Sequence, residues 1–221
     1  TSGSPSRRGR RRRRRARDRG RTGRARRRPV RERVRALARR GCRVRVLSTQ
    51  EAPAPIPGVD VVDAFGLDPI WRVRDLASAV RPDPPDWLFV QFNKFSCGPW
   101  GFNPFLPWTL ARLRAACPRM RLAVMAHEEF VPATHLRNAI MSLWQRAQFL
   151  ALGRLADCML YSTSAWVRKF RGWFPDTRGA HLPVGSNIPR SSLSRAEARA
   201  KIGVRAPLVV GYFGSTGGSR R

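Results

Sequence analysis

The strongest constraint on the fold is a short apolar run, Leu122–Ala126, that ends in a histidine and two glutamates. An uninterrupted apolar run suits a strand buried on both faces of a parallel sheet better than a strand with one face in water. In open α/β sheets, ligands bind beyond the carboxyl ends of the strands. His127, Glu128 and Glu129 are therefore the first candidate site residues, and the alternative is that they form an ordinary loop or helix cap.

Other apolar runs alternate with segments of helical spacing along the chain. Strands are predicted at Val44–Thr49, Gly58–Phe65, Asp86–Phe92, Cys158–Thr163 and Ala180–Val184. Helices are predicted around Val34–Ala38 before Gly41, over Pro69–Val80 and Trp108–Ala116, from Thr134 onwards, and over Ser164–Trp173. This rhythm predicts an α/β fold with one Rossmann-like, doubly wound parallel sheet and helices on both faces.

The helix expected after Thr134 carries an apolar stripe. Its members are Leu136, Ile140, Leu143, Trp144, Ala147 and Leu150. We expect this stripe in the core, whereas Arg137 and Arg146 leave an alternative in which the helix rests on anionic lipid. The loop Asn93–Pro107 either lines a pocket or is pinned to the surface by its own aromatic residues.

The formal net charge of +30 is concentrated at one end of the chain. Thr1–Arg45 holds 22 arginines against Asp18 and Glu32, a net charge of +20. Because residues 1–29 contain almost no apolar side chain, we expect them to form a disordered arginine-rich tail. Two alternatives are an RNA-binding arm, although the tail lacks aromatic residues for stacking, and a segment read from GC-rich DNA in a wrong frame.

The spacing of the cysteines and the hydropathy of the chain indicate the cellular compartment. Four cysteines stand far apart without a CxxC pair, which argues against a zinc site and suits small buried hydrophobes in a reducing environment. No apolar run reaches the roughly 18 residues that a membrane span needs, and no apolar segment of a signal peptide follows the arginines. We expect a cytoplasmic protein without metal or cofactor, with peripheral membrane contact as an alternative.

The carboxyl-terminal part is predicted to start a second domain. Pro189 suggests a hinge, Ser194 and Glu197 form a capping box, and Pro207–Phe213 has the pattern of a buried strand. The predicted organisation is a tail at 1–29, a Rossmann-like domain at 30–189, and a linker with the first strand of a truncated second domain at 190–221. Because the chain begins with Thr1 and stops soon after that strand, we expect both ends to be cut.

Common nucleotide and hydrolase motifs are missing, since Gly211–Gly218 matches neither G-x-G-x-x-G nor a P-loop and no serine lies in G-x-S-x-G. Six segments nevertheless occur in a characteristic order: ALARRGCRVRVLST, PDWLFVQF, RLAVMAHEE, GRLADCMLYSTSAWVRKF, HLPVGSNIP and VVGYFGS. Together, from Val34 to Gly214, they resemble the acceptor-side domain of GT-B fold glycosyltransferases of the retaining family-four type, with the first strand of the donor-side domain.

The resemblance implies transfer of a sugar from a nucleotide-sugar donor to a glycan or lipid acceptor. It implies that His127 is the catalytic histidine facing the sugar, and that Gly214 and Arg220 lie near the donor's diphosphate. Glu128 and Glu129 are candidate acceptor-binding residues, unless they cap the next helix or face water. The family's first strand and glycine-rich turn have no counterpart in Arg7–Arg28, and its acidic E-x7-E motif in the donor-side domain would lie beyond Arg221, so we expect this chain alone to be inactive. The alternative function is nucleic-acid binding through the arginine-rich tail.

Overall fold

The computed structural model describes residues 32–49, 55–185 and 191–210. The predicted disorder of residues 1–29 lies outside these ranges, as do the hinge at Pro189 and the candidate donor-site residues Gly214 and Arg220. Within the described ranges, no helix is both long and apolar enough to cross a membrane.

Strands and helices alternate as the sequence pattern predicts, with ends that differ by a few residues. The strands are β1 Arg45–Thr49, β2 Asp60–Phe65, β3 Trp87–Phe92, β4 Arg121–Ala126, β5 Cys158–Tyr161 and β6 Arg178–His181. The helices are α1 at 32–39, α2 Asp75–Val80, α3 Phe105–Ala116, α4 Leu136–Leu155, α5 Ser164–Phe170 and α6 Arg195–Lys201. Short 3₁₀ turns cover Ile70–Arg74, Lys94–Ser96 and Pro99–Gly101.

All strand pairs are parallel, which confirms an α/β fold of Rossmann-like character. The prediction of one sheet is wrong, because β1 pairs with β2 while β3, β4, β5 and β6 form a separate sheet in that order. A βαβ rhythm shows that strands run parallel, but it carries no information about which strands lie side by side. Arg43 and Arg45 both form ion pairs with Asp83, which links the start of β1 to the turn before β3.

The core lies around β4, as its apolar run predicts. Every residue from Leu122 to Ala126 is buried, with β3 on one side and β5 on the other. Next to the strand lies a cluster of aromatic rings: Phe130, Phe149, Tyr161, Phe170, Trp173 and Phe174. The four cysteines are free thiols; Cys117 is buried as predicted, whereas Cys42 is exposed.

Asp157, just before β5, ties together α3 and the start of β4. Arg114 donates two hydrogen bonds to its carboxylate, one of them 3.2 Å long, and the Leu122 backbone N–H donates a third at 2.7 Å. The Arg114 guanidinium, with the Leu122 amide, holds the pKa of Asp157 below its ordinary value, against the opposing effect of burial. The ionised carboxylate is therefore the form that the fold stabilises.

Replacing Asp157 by asparagine should lower the melting temperature at neutral pH. The difference in melting temperature between the variant and the wild type should become smaller in acid. A depressed folded-state pKa contributes stability above the unfolded pKa of about 3.9, and that contribution is lost as pH falls through the folded pKa. Thermal melts between about pH 7 and about pH 2 measure the difference. Asp60→Asn, which removes an exposed ion pair with Arg45, is the control. A difference that stays constant down to the acid limit would contradict the prediction.

Most of the apolar stripe of α4 lies at the surface, so its predicted place in the core is wrong except at Leu150, which packs against the core. Leu136 is 80% exposed, Ile140 50% and Leu143 73%. The buried face carries Met141, Ser142, Gln145, Gln148, Phe149, Leu152 and Gly153 instead. Spacing shows which residues share a face of a helix, but polar residues that are hydrogen-bonded can occupy the inner face.

The start of α4 also differs from the prediction. His135 takes the N-cap position without a side-chain hydrogen bond, and the Thr134 hydroxyl accepts instead from the Asn138 side chain at 3.0 Å.

The described residues form two compact units divided after Gly185. In the second unit, Ser194 and Glu197 form the predicted capping box at the start of α6, and Gly203 follows the helix with φ +69°. The predicted buried strand from Pro207 is wrong over 207–210, where no strand forms and Val210 is 88% exposed, since no partner strand is present in the described part of this unit. Residues 211–213 lie outside the described ranges, and the domain bounds 30–189 and 190–221 stay predictions.

Candidate functional site

His127 is fixed by two contacts from the neighbouring strand. Its backbone N–H donates to the Phe92 carbonyl at 3.1 Å, which extends the parallel ladder one residue beyond β4. Its Nε2 lies 2.6 Å from Oε1 of Gln91, near the end of β3. Because an amide oxygen only accepts, the tautomer that fits this contact carries its proton on Nε2. The half-buried imidazole is thus held in a defined orientation at the carboxyl edge of the sheet.

Lys94 brings a buried positive charge to the same edge. The residue is only 9% exposed, and its Nζ donates to the Glu129 carbonyl and lies 3.9 Å from the Glu128 carboxylate. Burial lowers the pKa of Lys94, while the charges of Glu128 and Glu129 act in the opposite direction. A buried ammonium is a strong local electrostatic feature, because its charge is screened less than a charge in water.

The two glutamates after His127 point to different partners. Glu129 forms an ion pair with Lys169 on α5, whereas Glu128 lies opposite Lys94. The Glu128 side chain is 42% exposed and that of Glu129 31%. Glu128 therefore keeps more of its carboxylate available to a ligand, while Glu129 is engaged in holding the β4 loop against α5. Their role in acceptor binding stays a prediction.

Two buried glutamines of α4 support the loops that carry these residues. Gln145 accepts from the Val131 N–H at 2.9 Å and donates to the Trp100 carbonyl at 3.0 Å, so it bridges the loops after β4 and β3. Gln148 accepts from the Asn103 N–H and donates to the Gly101 carbonyl, both at 2.7 Å. Buried polar groups persist when they are paired in this way, and each pair restricts the loop backbone.

The loop Asn93–Pro107 is thus held by hydrogen bonds from α4 and by one of its own rings, Phe102, which packs edge-on against Trp144 of that helix. Trp100 is 62% exposed and Phe102 41%. Gly101 has φ +76°, and a Cβ there would lie 2.8 Å from the Gln145 amide nitrogen, so glycine permits the close approach of this loop to α4.

The segment after His127 is anchored by Phe130. Its buried ring stacks on Trp173 with a centroid distance of 5.6 Å and meets Phe149 and Phe170 edge-on at 6.2 Å. The Lys169 ammonium lies 5.7 Å from the same ring while pairing with Glu129. Ring packing and ion pairing together fix the short loop on the side of β5 and α5.

The chemistry available at this edge is hydrogen bonding and charge stabilisation. An imidazole, an accessible carboxylate and a buried ammonium can bind hydroxyl groups, move a proton or stabilise developing negative charge. In the part of the chain that the structure describes, no three His, Cys, Asp or Glu side chains lie together in a group that could hold a metal ion.

The structure brings His127, Glu128 and Glu129 together after β4, and it adds partners that the sequence analysis missed, Gln91 and Lys94. Both belong to the end of β3 and the loop that follows. The sequence did contain a signal for Gln91, which is the polar residue in the apolar run WLFVQF. Neighbouring parallel strands such as β3 and β4 have their carboxyl ends at the same edge of the sheet, so this residue could have been expected near His127. No protein-family model matches the chain, and no curated protein matches it.

Proposed function

We propose that this chain forms the acceptor-side domain of a GT-B fold glycosyltransferase of the retaining family-four type, which transfers a sugar from a nucleotide-sugar donor to a glycan or lipid acceptor. The observation that carries the proposal is His127, held by Gln91 at the carboxyl edge of a parallel sheet beside Lys94 and Glu128. A cytoplasmic location is part of the proposal.

Sugar transfer needs a group that contacts the reacting sugar and positive charge for the departing diphosphate. His127 can donate to or accept from a sugar hydroxyl, and Glu128 can accept from the hydroxyls of the acceptor. Lys94 contributes positive potential at the same edge. Contacts of Gly214 and Arg220 with the donor's diphosphate belong to the same proposal, as does the exclusion of water when a donor-side domain closes on this one.

Binding of neutral glycans and glycolipids by the chain tests the proposal. An array of uncharged sugars avoids the unspecific attraction that the arginine-rich segment exerts on acidic ligands. Saturable binding should fall about tenfold or more in His127→Ala and in Glu128→Gln, the scale of a lost hydrogen bond to a buried or charged group. His181→Ala is the matched control, because His181 is exposed at the end of β6 and its Nε2 lies 3.2 Å from the Ser162 carbonyl oxygen.

The competing prediction, a nucleic-acid-binding protein, gives a different result in the same assay. RNA would bind wild type and His127→Ala alike, and removal of residues 1–29 would abolish that binding. Absence of glycan binding in the wild type, together with tight and salt-sensitive RNA binding, would replace the glycosyltransferase proposal.

A further inference from the structure

The outward stripe of α4 is part of a larger apolar surface. We call it the apolar patch, and its members are Trp100, Phe102, Leu136, Ile140 and Leu143. The two aromatic residues come from the loop after β3 and the three aliphatic residues from the first half of α4. Exposed apolar residues scattered singly are normal, but a contiguous group of large ones marks an interaction site.

Trp144 makes the patch contiguous. It lies one helical turn after Ile140, so the two side chains are neighbours on α4. Its Nε1 donates to the Trp100 carbonyl at 3.3 Å, and its ring packs edge-on against Phe102 at a centroid distance of 5.8 Å. The loop and the helix therefore present one surface, supported from inside by Gln145 and Gln148.

The backbone of Trp100 is held in an unfavourable conformation. Its φ of 53° and ψ of 21° lie in the left-handed region, which non-glycine residues seldom adopt. Hydrogen bonds from Trp144 and Gln145 to its carbonyl keep it there. The arrangement displays a large aromatic ring to solvent, and such local strain persists where the surrounding structure over-determines it.

The charges near the patch are positive. From Phe130 to Ala156 the sequence contains no Asp or Glu, but it contains Arg137, Arg146 and Arg154. The loop after β3, from Asn93 to Pro104, likewise contains no acid. In a twofold contact between two copies through these segments, the arginines would meet no acidic side chain to pair with. A bilayer with anionic lipids offers apolar depth and negative charge together.

We propose that the apolar patch docks on the surface of an anionic lipid bilayer. Trp100, Phe102 and the α4 stripe enter the interfacial region, while Arg137 and Arg146 face lipid phosphates. Tryptophan suits this role because its ring is apolar and its N–H prefers a polar neighbour, as in the aromatic belts of membrane proteins. Docking also selects a lipid-linked acceptor over a soluble glycan, and this last clause rests on the proposed function.

Flotation with phosphatidylcholine vesicles, with and without phosphatidylglycerol, tests the docking in the full chain. The double variant Ile140→Ser and Leu143→Ser should lose about tenfold or more in affinity for the anionic vesicles, because two large apolar side chains no longer leave water. The matched control, Leu208→Ser with Val210→Ser, changes two apolar residues of the second unit that are more exposed than Ile140 and Leu143, and it should bind as the wild type does. The arginine-rich segment is identical in all three proteins, so its contribution cancels.

Depth-dependent quenching of tryptophan fluorescence by brominated lipids gives a second readout. The amount of fluorescence that is quenched should fall in Trp100→Phe and stay unchanged in Trp87→Phe, since Trp87 is an exposed ring at the opposite end of β3. Equal vesicle binding by the double variant and the wild type would overturn the proposal. A wild-type dimer that the double variant converts to a monomer, without any change in vesicle binding, would make the patch a contact between copies.

The vesicle experiment uses no sugar, so its result is independent of the glycan array. Vesicle binding through the patch together with glycan binding that is indifferent to His127→Ala would uphold docking and refute the proposed function. The opposite pair of results would refute docking alone and leave a soluble glycan as the acceptor.

Discussion

Replacing His127 by alanine should lower sugar transfer by about a hundredfold or more, the scale of a lost catalytic hydrogen bond or proton transfer. The melting temperature should change little, because the imidazole is only half-buried and its ring sits at the edge of the sheet rather than among the core side chains. The measurement is kcat/KM with a nucleotide-sugar donor, in a protein that joins this sequence to a donor-side domain, together with a thermal melt of each variant.

Two further variants separate a catalytic from a structural histidine. Gln91→Leu removes the partner of Nε2 while keeping the ring, so it should lower kcat less than His127→Ala does and leave the affinity for the donor unchanged. His181→Ala should have no effect on transfer. If His127→Ala unfolded early and kept its activity per folded molecule, the residue would be structural and the site assignment would fail.

Replacing Gly153 by alanine should lower the free energy of unfolding by about 2 kcal/mol, although alanine is the better helix former by about 1 kcal/mol. Gly153 is buried in α4, and a Cβ at this position would lie 2.2 Å from Cε1 of Phe174. Favourable carbon contacts lie at about 3.5–4.0 Å, so the ring must move. Phe174 is only 5% exposed and packs on Phe149 with a centroid distance of 5.7 Å, which leaves it little room.

Gly172→Ala is the matched control for this substitution. It lies in the turn after α5, and a Cβ there would meet no atom within 4 Å. Its effect should stay within about 0.5 kcal/mol. Urea unfolding of the three proteins gives the comparison, and a Gly153→Ala variant more stable than the wild type would mean that α4 and Phe174 are packed less closely than the structure describes.

The position of a strand that is buried on both faces could be predicted because such a strand appears in the sequence as an uninterrupted apolar run, as in Leu122–Ala126. The separation of β1 and β2 from the other strands could not, since neighbouring strands are chosen by tertiary contacts and not by the period of the pattern. The inward face of α4 was assigned wrongly for a related reason. Hydropathy treats Gln145 and Gln148 as surface residues, whereas hydrogen bonds to loop backbone offset the cost of burying them.

The candidate site shows the same division. His127 and Glu128 could be found from their place after an apolar strand, because the strand end itself puts them at the sheet edge. The burial of Lys94 could not, since it depends on the Glu129 carbonyl and on a loop whose path is set by α4. A lysine in a loop is ordinarily exposed, and nothing in its neighbours along the chain indicates otherwise.

Gln145 gives the site and the apolar patch a single mechanical support. Its amide oxygen holds the segment that continues from His127 and Glu128, and its amide nitrogen holds the carbonyl of Trp100. The side chain bridges the two loops with one hydrogen bond to each. Because Gln145 belongs to α4, a displacement of this helix would shift its contact with Val131 and its contact with Trp100 together.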